Sequence, residues 1–306
     1  MKNWLTLWVI LLTPFIAQAS VKMAITFDDL PAHGKLPPNE SRMDIARSIL
    51  KTLKSNHVPE VYGFINAQKV QKDKNDLEVL NLWINSGYPL GNHAFSHPDL
   101  NKSSAADFKE EIDSNEPLLQ KLSGKLNWHY FRYPFLHEGD TLEKRNAIRK
   151  HLNEKGYVVA QVTDDFEDWG WNDPYARCKE KGDLKSIEWL KASYLDSAEK
   201  RLIRDERVIT AVWHHPISHI LLMHIGAFDA VMLPALLHLY QQKGIEFISL
   251  SEAVKDPIYK EDPGFTTEPG NDFQYQILKG KGMTLKDAGI DSPYPYPGKA
   301  LKALCK

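Results

Sequence analysis

Met23-Ala24-Ile25-Thr26-Phe27-Asp28-Asp29 is the stretch whose reading decides the fold. A mostly apolar run ends in two adjacent carboxylates. A short run of this kind, closed by a polar turn, reads as a buried strand. The carboxylates then sit at the carboxyl end of the strand, where open α/β sheets and barrels place their chemistry. Two like charges at such a spot are costly unless a cation or a proton relieves them. Taken alone, Asp28-Asp29 equally fits a turn that caps the next segment.

Outward from this strand the chain alternates. A Pro- and Gly-containing loop, Leu30 to Pro38, leads to a helix near residues 43–55, where Ala46, Ile49, Leu50 and Leu53 fall at helical spacing. A strand is expected at 61–65 and a helix at 76–86 with Gly87 as its stop. A short strand follows at 88–92, then a helix from Ser104 to Gly124 with Asp107 as a capping partner. Further strands are expected at 128–133, 157–163, 208–213, 220–223 and 245–250. Helices are expected at 142–155, 185–205 and 229–242, with Pro234 bending the last or marking its start. That makes roughly eight strand candidates alternating with helices, the pattern of a parallel sheet or barrel. After about residue 256 Pro and Gly punctuate an irregular tail, 256–306, read as an extended wrap over the barrel. Tyr294-Pro295-Tyr296 in that tail offers a second reading, a sugar-binding edge.

The 306 residues suffice for one large α/β domain or two small ones. Hydrophobic residues are 42% and charged residues 25%, ordinary for a soluble globular chain. The net charge of -2 and the lack of a long basic block argue against a nucleic-acid partner. Residues 1–19 differ from the rest: Lys2, an apolar core from Trp4 to Leu12, then Ala17-Gln18-Ala19. This reads as a secretory signal peptide, so the protein is expected to be exported, periplasmic or secreted. The apolar core is short for a bilayer span, so no stable membrane insertion is expected after cleavage. The two cysteines, Cys178 and Cys305, are allowed one disulfide outside the cell, although sequence alone does not show that their sulfurs meet.

Candidate chemistry lies at the strand ends. His93 and His97 are four residues apart, and on a helical turn that spacing puts both imidazoles on one face, able to share a metal. With 12 His in the chain the spacing also arises by chance. Two His and one carboxylate leave open positions on a divalent ion, and Asp29 is the natural third ligand. Asp28 is then free to take a proton from water beside the ion. Arg132, in Phe131-Arg132-Tyr133-Pro134-Phe135, reads as a clamp for a carboxylate or as a surface residue. Asp165-Phe166-Glu167-Asp168-Trp169 interleaves acids with aromatics, which suits a sugar site or an acidic loop with Trp packed inward. His224 ends a strand after Leu221-Leu222-Met223, as a core His or a general acid. His214, His215 and His219 read as structural or rim residues.

Together these residues carry a resemblance. Thr26-Phe27-Asp28-Asp29, His93-x-x-x-His97, Arg132-Tyr133-Pro134-Phe135, Asp165-x-x-Asp168-Trp169 and Leu221-Leu222-Met223-His224 resemble the five ordered motifs of the polysaccharide deacetylases, carbohydrate esterase family 4 with its NodB homology domain. The resemblance covers about residues 22–255 and implies an α/β fold, a distorted, incomplete (β/α) barrel over 20–255 followed by the irregular tail. It implies Asp28 as base, Asp29, His93 and His97 as metal ligands, and Arg132 as the residue orienting Asp28. His224 becomes the acid, tuned by Asp168, with Asp165 the lesser choice. Tyr133, Pro134, Phe135, Trp169, Leu222 and His33 are expected to contact substrate, with a backbone N–H near Tyr133 facing the oxyanion. Zinc is the implied metal, with cobalt or nickel able to replace it. The implied partner is an acetylated polysaccharide or oligosaccharide, peptidoglycan- or chitin-like, losing N-acetyl groups as acetate. Hydrolysis of O-acetyl-xylan or of another C–N amide is the alternative, and a non-catalytic carbohydrate-binding protein on the same fold is a third reading. The third motif departs from the pattern in its continuation through His137-Glu138-Gly139, and His33, His137 and Glu138 are expected to reshape the substrate pocket.

Overall fold

The computed structural model describes residues 21–73, 75–266 and 270–306, so the leader reading lies outside the described residues. The first half of the fold runs β1 (Val21–Leu30), α1 (Arg42–Ser55), β2 (Tyr62–Ile65), α2 (Ala67–Lys72), α3 (Asp76–Asn85), β3 (Leu90–Asn92), α4 (Ala105–Ser123), β4 (Tyr130–Phe131), α5 (Leu142–Glu154) and β5 (Val158–Val159). The second half runs α6 (Asn172–Lys181), α7 (Leu184–Trp213), β6 (Ser218–His224), α8 (Ala227–Gln242), β7 (Ile245–Ile248), α9 (Leu250–Ala253), α10 (Phe273–Gly280) and α11 (Gly298–Ala303). Side-chain caps open several helices: Ser41 makes a reciprocal capping box with Asp44, and Ser104 accepts from the Asp107 amide as the sequence predicts.

The sheet order is β5-β4-β3-β2-β1-β6, every pairing parallel, with β7 added along Val21–Ala24 of β1. From Met23 to Leu30 every residue of β1 is buried, as a central parallel strand with both faces covered must be. Beyond β5 the chain swings back to the far edge. Asp164 bridges Leu221 of β6, the Thr163 amide donates to Ile220 O at 3.0 Å, and the Leu222 amide donates to Asp164 O at 3.0 Å. The sheet therefore curls almost onto itself, the distorted, incomplete (β/α) barrel that the resemblance implies. β4 and β5 are two-residue pairings rather than the longer strands expected there.

One expected strand is a helix. Val208 to Trp213 is β-branched and reads as a strand in isolation, yet it forms the last turns of α7. Val208, Ile209 and Val212 share one face there and pack against Phe273, Ile277 and Leu278 of the tail. Tertiary burial overrides a modest local β preference. α6 has no counterpart in the sequence-based expectation. Pro234 lies inside α8 rather than at its start.

The tail is more ordered than expected and is tied to the barrel by polar contacts. Arg201 of α7 bonds both Asp205 and Asp272, and Tyr275 Oη donates to Asp205 at 2.7 Å. The Phe273 amide donates to Val162 O at 2.6 Å. Cys178 of α6 is disulfide-bonded to Cys305, and Arg177 donates to the carbonyls of Leu301 and Leu304 beside it. A cross-link between residues 127 apart removes much entropy from the unfolded chain. Replacing both cysteines, C178A/C305A, should lower unfolding free energy by about 2–5 kcal/mol, read as a fall in the denaturant midpoint that reduction of the parent protein reproduces.

Candidate active site

The two carboxylates of β1 reach one cavity because the strand is irregular there. In a regular strand Asp28 and Asp29 would point to opposite faces. Pairing with β2 shifts register between Phe27 and Leu30, and Asp29 takes a left-handed φ of 68°. The extra residue re-aims the strand end, a common use of a bulge. Both aspartates line the same cavity, with His33, His93, His97 and His224.

Each carboxylate has its own charge partners. Arg132 Nη1 lies 3.2 and 3.1 Å from the two Asp28 oxygens, its Nη2 donates to Thr26 Oγ1 at 3.0 Å, and its Nε donates to Ala160 O at 2.7 Å. The guanidinium is buried and sits 4.8 Å from the Phe64 ring centre. It is a clamp, not a surface residue, although a single nitrogen rather than a two-pronged fork meets Asp28. Burial raises the Asp28 pKa above the usual carboxylate value, against the opposing pull of Arg132 and His224. Asp29 goes the other way. Burial opposes its charge, but the His33 hydrogen bond at 2.7 Å, Lys69 Nζ at 3.0 Å and nearby His97 hold it well below the usual value.

His93 and His97 do not sit on a helical turn. They flank an irregular loop in which Ala94 and His97 take left-handed φ values of 59° and 62°. Non-glycine residues in that region mark a segment held by its surroundings. Buried asparagines do the holding: Asn66 Nδ2 donates to the carbonyls of His93 and Ala94, and Asn92 Oδ1 accepts from the Ala94 amide. The two rings end 4.9 Å apart. His93 Nδ1 lies 2.8 Å from Arg132 O, so this nitrogen carries the proton and Nε2 presents its lone pair inward. Burial pushes His93 down to about 3 and, with His93 beside it, His97 down to about 4. Both imidazoles are thus neutral, the state a metal requires.

One ligand atom each from Asp29, His93 and His97 lie within 4.8 Å of one another, and so do those of Asp29, His33 and His224. Chemistry separates the two groups. His224 Nδ1 is 2.7 Å from Asp168 Oδ1. Burial lowers the His224 pKa, but Asp168 more than reverses this and lifts it to about 10, so this imidazole is a cation with no lone pair to give. The first group fits a divalent ion, with two neutral nitrogens and one ionised carboxylate.

His224 and Asp28 are direct register partners on β6 and β1. Asp168 holds both the His224 side chain and its backbone amide, the latter at 2.6 Å. Asp165 also lines the cavity but its carboxylate accepts from the Glu167 amide at 2.7 Å instead. Of the expected substrate contacts, Tyr133, Phe135, Trp169, Leu222 and His33 line the cavity, while Pro134 is buried and does not. Phe135 and Trp169 are exposed, and the Phe135 ring lies 4.5 Å from that of His97. Glu138 does not line this cavity; it is buried among Arg149, Arg145 and Gln161. His137 lines the cavity and bonds Asp99 at 2.7 Å. Lys69 went unnoticed because one lysine in a polar helix carries no motif; only the fold brings it to Asp29. The tail adds a wall that no motif announced, from Gly270 to Tyr294.

Residues 17–163 match the polysaccharide deacetylase family model. A peptidoglycan-N-acetylglucosamine deacetylase of Bacillus cereus is 27% identical over 148 residues, 48% of this chain and 46% of that protein. A peptidoglycan-N-acetylmuramic acid deacetylase of Bacillus subtilis is also 27% identical over 148 residues, 48% of this chain and 49% of that one. The chain thus spans about half the length of these curated relatives. Among solved structures, a carbohydrate esterase family 4 pseudoenzyme from Bacillus anthracis superposes with a TM-score of 0.53 at 15% identity, over 77% of this chain and 66% of that one. A polysaccharide deacetylase from Bacillus cereus gives 0.51 at 21% identity, over 75% and 91%. These likenesses support the fold. Residues 17–163 are thus identified by sequence as a polysaccharide deacetylase domain, and the curled parallel sheet has the fold of these structural neighbours.

Proposed function

We propose that the protein is a metal-dependent hydrolase that removes N-acetyl groups from amino-sugar polymers or oligosaccharides, peptidoglycan- or chitin-like, and releases acetate. The observation that carries this reading is the company kept in one cavity: a charge-clamped Asp28, a cationic His224 and a neutral two-His, one-Asp ligand set. A carbohydrate-binding protein has no use for a base and an acid on adjacent strands beside a ligand set. Asp29, His93 and His97 would hold the ion, zinc by family precedent with cobalt or nickel as substitutes. When bound, it polarises the scissile carbonyl and lowers the pKa of water to ~7.

The chain's own residues do the rest. Asp28 takes the proton of the attacking water, and burial makes it a better base than an exposed carboxylate. Arg132 fixes its orientation without changing hands, being tied to Thr26 and Ala160 as well. A backbone N–H near Tyr133 supports the developing oxyanion. His224, charged by Asp168, donates a proton to the departing sugar nitrogen. Phe135 and Trp169 offer exposed aromatic faces for sugar rings. The export expected from the leader suits a cell-wall substrate, and among the described residues no helix is long and apolar enough to cross a membrane.

The direct test measures acetate release from chito-oligosaccharides, peptidoglycan fragments and acetylxylan by zinc-loaded protein, with chelated protein as control. Chelator-sensitive release from the amino sugars is the expected result, and release from acetylxylan alone would transfer the assignment to an ester. Asp28→Asn should cut kcat by about 10²–10⁴-fold while metal content, read by elemental analysis, stays at the parent level. His93→Ala should lose both, and undiminished turnover in Asp28→Asn would sink the mechanism.

Turnover needs Asp28 ionised and His224 protonated. Activity therefore rises as pH climbs through the Asp28 pKa and falls as pH climbs through that of His224, near 10. Asp168→Asn removes the charge that raises His224, so the alkaline limb should move down towards about 6.5, the ordinary His value. A pH–rate profile whose alkaline limb stays in place would show that another group sets it.

A further inference from the structure

Helix α2 and the residue before it touch both halves of the ligand set, although they contribute no ligand. On one side they hold the histidine loop. Asn66 donates from Nδ2 to the carbonyls of His93 and Ala94, and the Gln68 amide donates to Phe95 O at 3.1 Å. Asn115 of α4 anchors the helix: its Oδ1 accepts from the Ala67 amide at 2.8 Å, and its Nδ2 donates to Ile65 O at 2.8 Å. On the other side is Lys69. Its Nζ donates to Asp29 Oδ1 at 3.0 Å, to Asp29 O at 2.9 Å and to Ala32 O at 3.1 Å. An ammonium has three protons, so these contacts use its full donor capacity on the segment from Asp29 to Ala32. His33 takes the second carboxylate oxygen, Oδ2. The oxygen that Lys69 fixes is the one that faces the histidine loop, 3.6 Å from His97 Nε2.

Resting on the metal-dependent reading above, we propose that Lys69 is a positioning residue for the metal site: through α2 it fixes the Asp29 ligand oxygen relative to His93 and His97. A counter-ion role alone explains less. Two of the three contacts go to backbone carbonyls, which a charge partner for a carboxylate does not require. One of them holds the backbone at Asp29 itself, whose φ of 68° is left-handed, a conformation that persists only when its surroundings impose it. The two roles predict opposite signs. A lysine beside a site for a divalent ion repels that ion, so the loss of a mere counter-ion tightens binding. The loss of a group that orients a ligand weakens binding, typically by about 10–100-fold.

The test measures zinc affinity by competition with a chromophoric chelator, a readout that needs no turnover. Lys69→Met, similar in length and uncharged, should bind zinc about 10–100-fold more weakly than the parent protein. Lys72→Met, at the exposed end of the same helix, should bind as the parent does. Circular dichroism of each metal-free variant separates lost affinity from lost fold. Lys69→Ala leaves a space that n-propylammonium matches atom for atom. The added amine should regain most of the lost affinity in that variant and change nothing in the parent, a rescue that decides the matter where Lys69→Met does not fold. Affinity unchanged or increased in Lys69→Met, or no rescue by the amine, overturns the positioning role. Affinities that fall as expected, in a protein that releases no acetate, uphold Lys69 and remove the deacetylase reading. Acetate release with Lys69→Met affinity at the parent level removes the positioning role alone. A parent protein that binds no zinc removes both.

Discussion

Everything at this site depends on placing two adjacent carboxylates inside a fold. Asp28 and Asp29 are both buried, one residue apart on a central strand. Left alone, such a pair would take up a proton. The structure divides the problem instead. Arg132 balances Asp28 from the β4 side, while His33 and Lys69 satisfy Asp29 from the loop after β1 and from α2. The bulge makes the division possible, because it turns the two side chains to different partners while both still face one cavity. Asp28 keeps a raised proton affinity and Asp29 a depressed one. Neighbours of one residue type are thereby assigned different chemistry by environment alone, one suited to moving a proton and the other to holding a cation.

The same logic runs through the histidines. A buried histidine would ordinarily be neutral, because burial disfavours its charge, and His93 and His97 are. His224 differs because Asp168 accepts from its ring and its backbone at once. Asp168 is itself fully buried, which concentrates its field on the one cation it touches. Of the imidazoles in this cavity, His93 and His97 can ligate while His224 can donate a proton. No difference in the histidines themselves produces this; a carbonyl behind His93 and a carboxylate behind His224 do.

How much of this was legible in the sequence follows from what each feature needs. Strand-end chemistry was legible because apolar runs closed by Asp, His or Arg are local patterns, and their order along the chain carries the family resemblance. The backbone that presents them was not. The His93 loop mimics the spacing of a helical turn, and only Asn66 and Asn92, distant in pattern from any motif, hold it in its actual shape. Val208 to Trp213 reads as a strand because its β-branched residues are informative locally. Its helical face becomes meaningful only once the tail supplies Phe273, Ile277 and Leu278 to bury it. Glu138 was misplaced for the converse reason: it adjoins a motif in sequence, yet its charge is spent on Arg149 and Arg145.

The tail is where sequence reading runs out and the fold takes over. Its Pro and Gly content says only that long helices are absent. Its position is set by a few strong tethers: Arg201 bridging Asp205 and Asp272, the Phe273 amide on Val162, and the Cys178–Cys305 link at the end. These fall on both sides of the cavity wall, so the wall is fixed at its two ends rather than draped over the barrel. A segment restrained in this way can shape a cavity with weakly patterned residues such as Met283, Leu285 and Ile290, because the tethers and not the lining residues determine where it runs. The barrel therefore brings the candidate site together from its strand ends, and the tail, held by its tethers, supplies part of the cavity wall beside it.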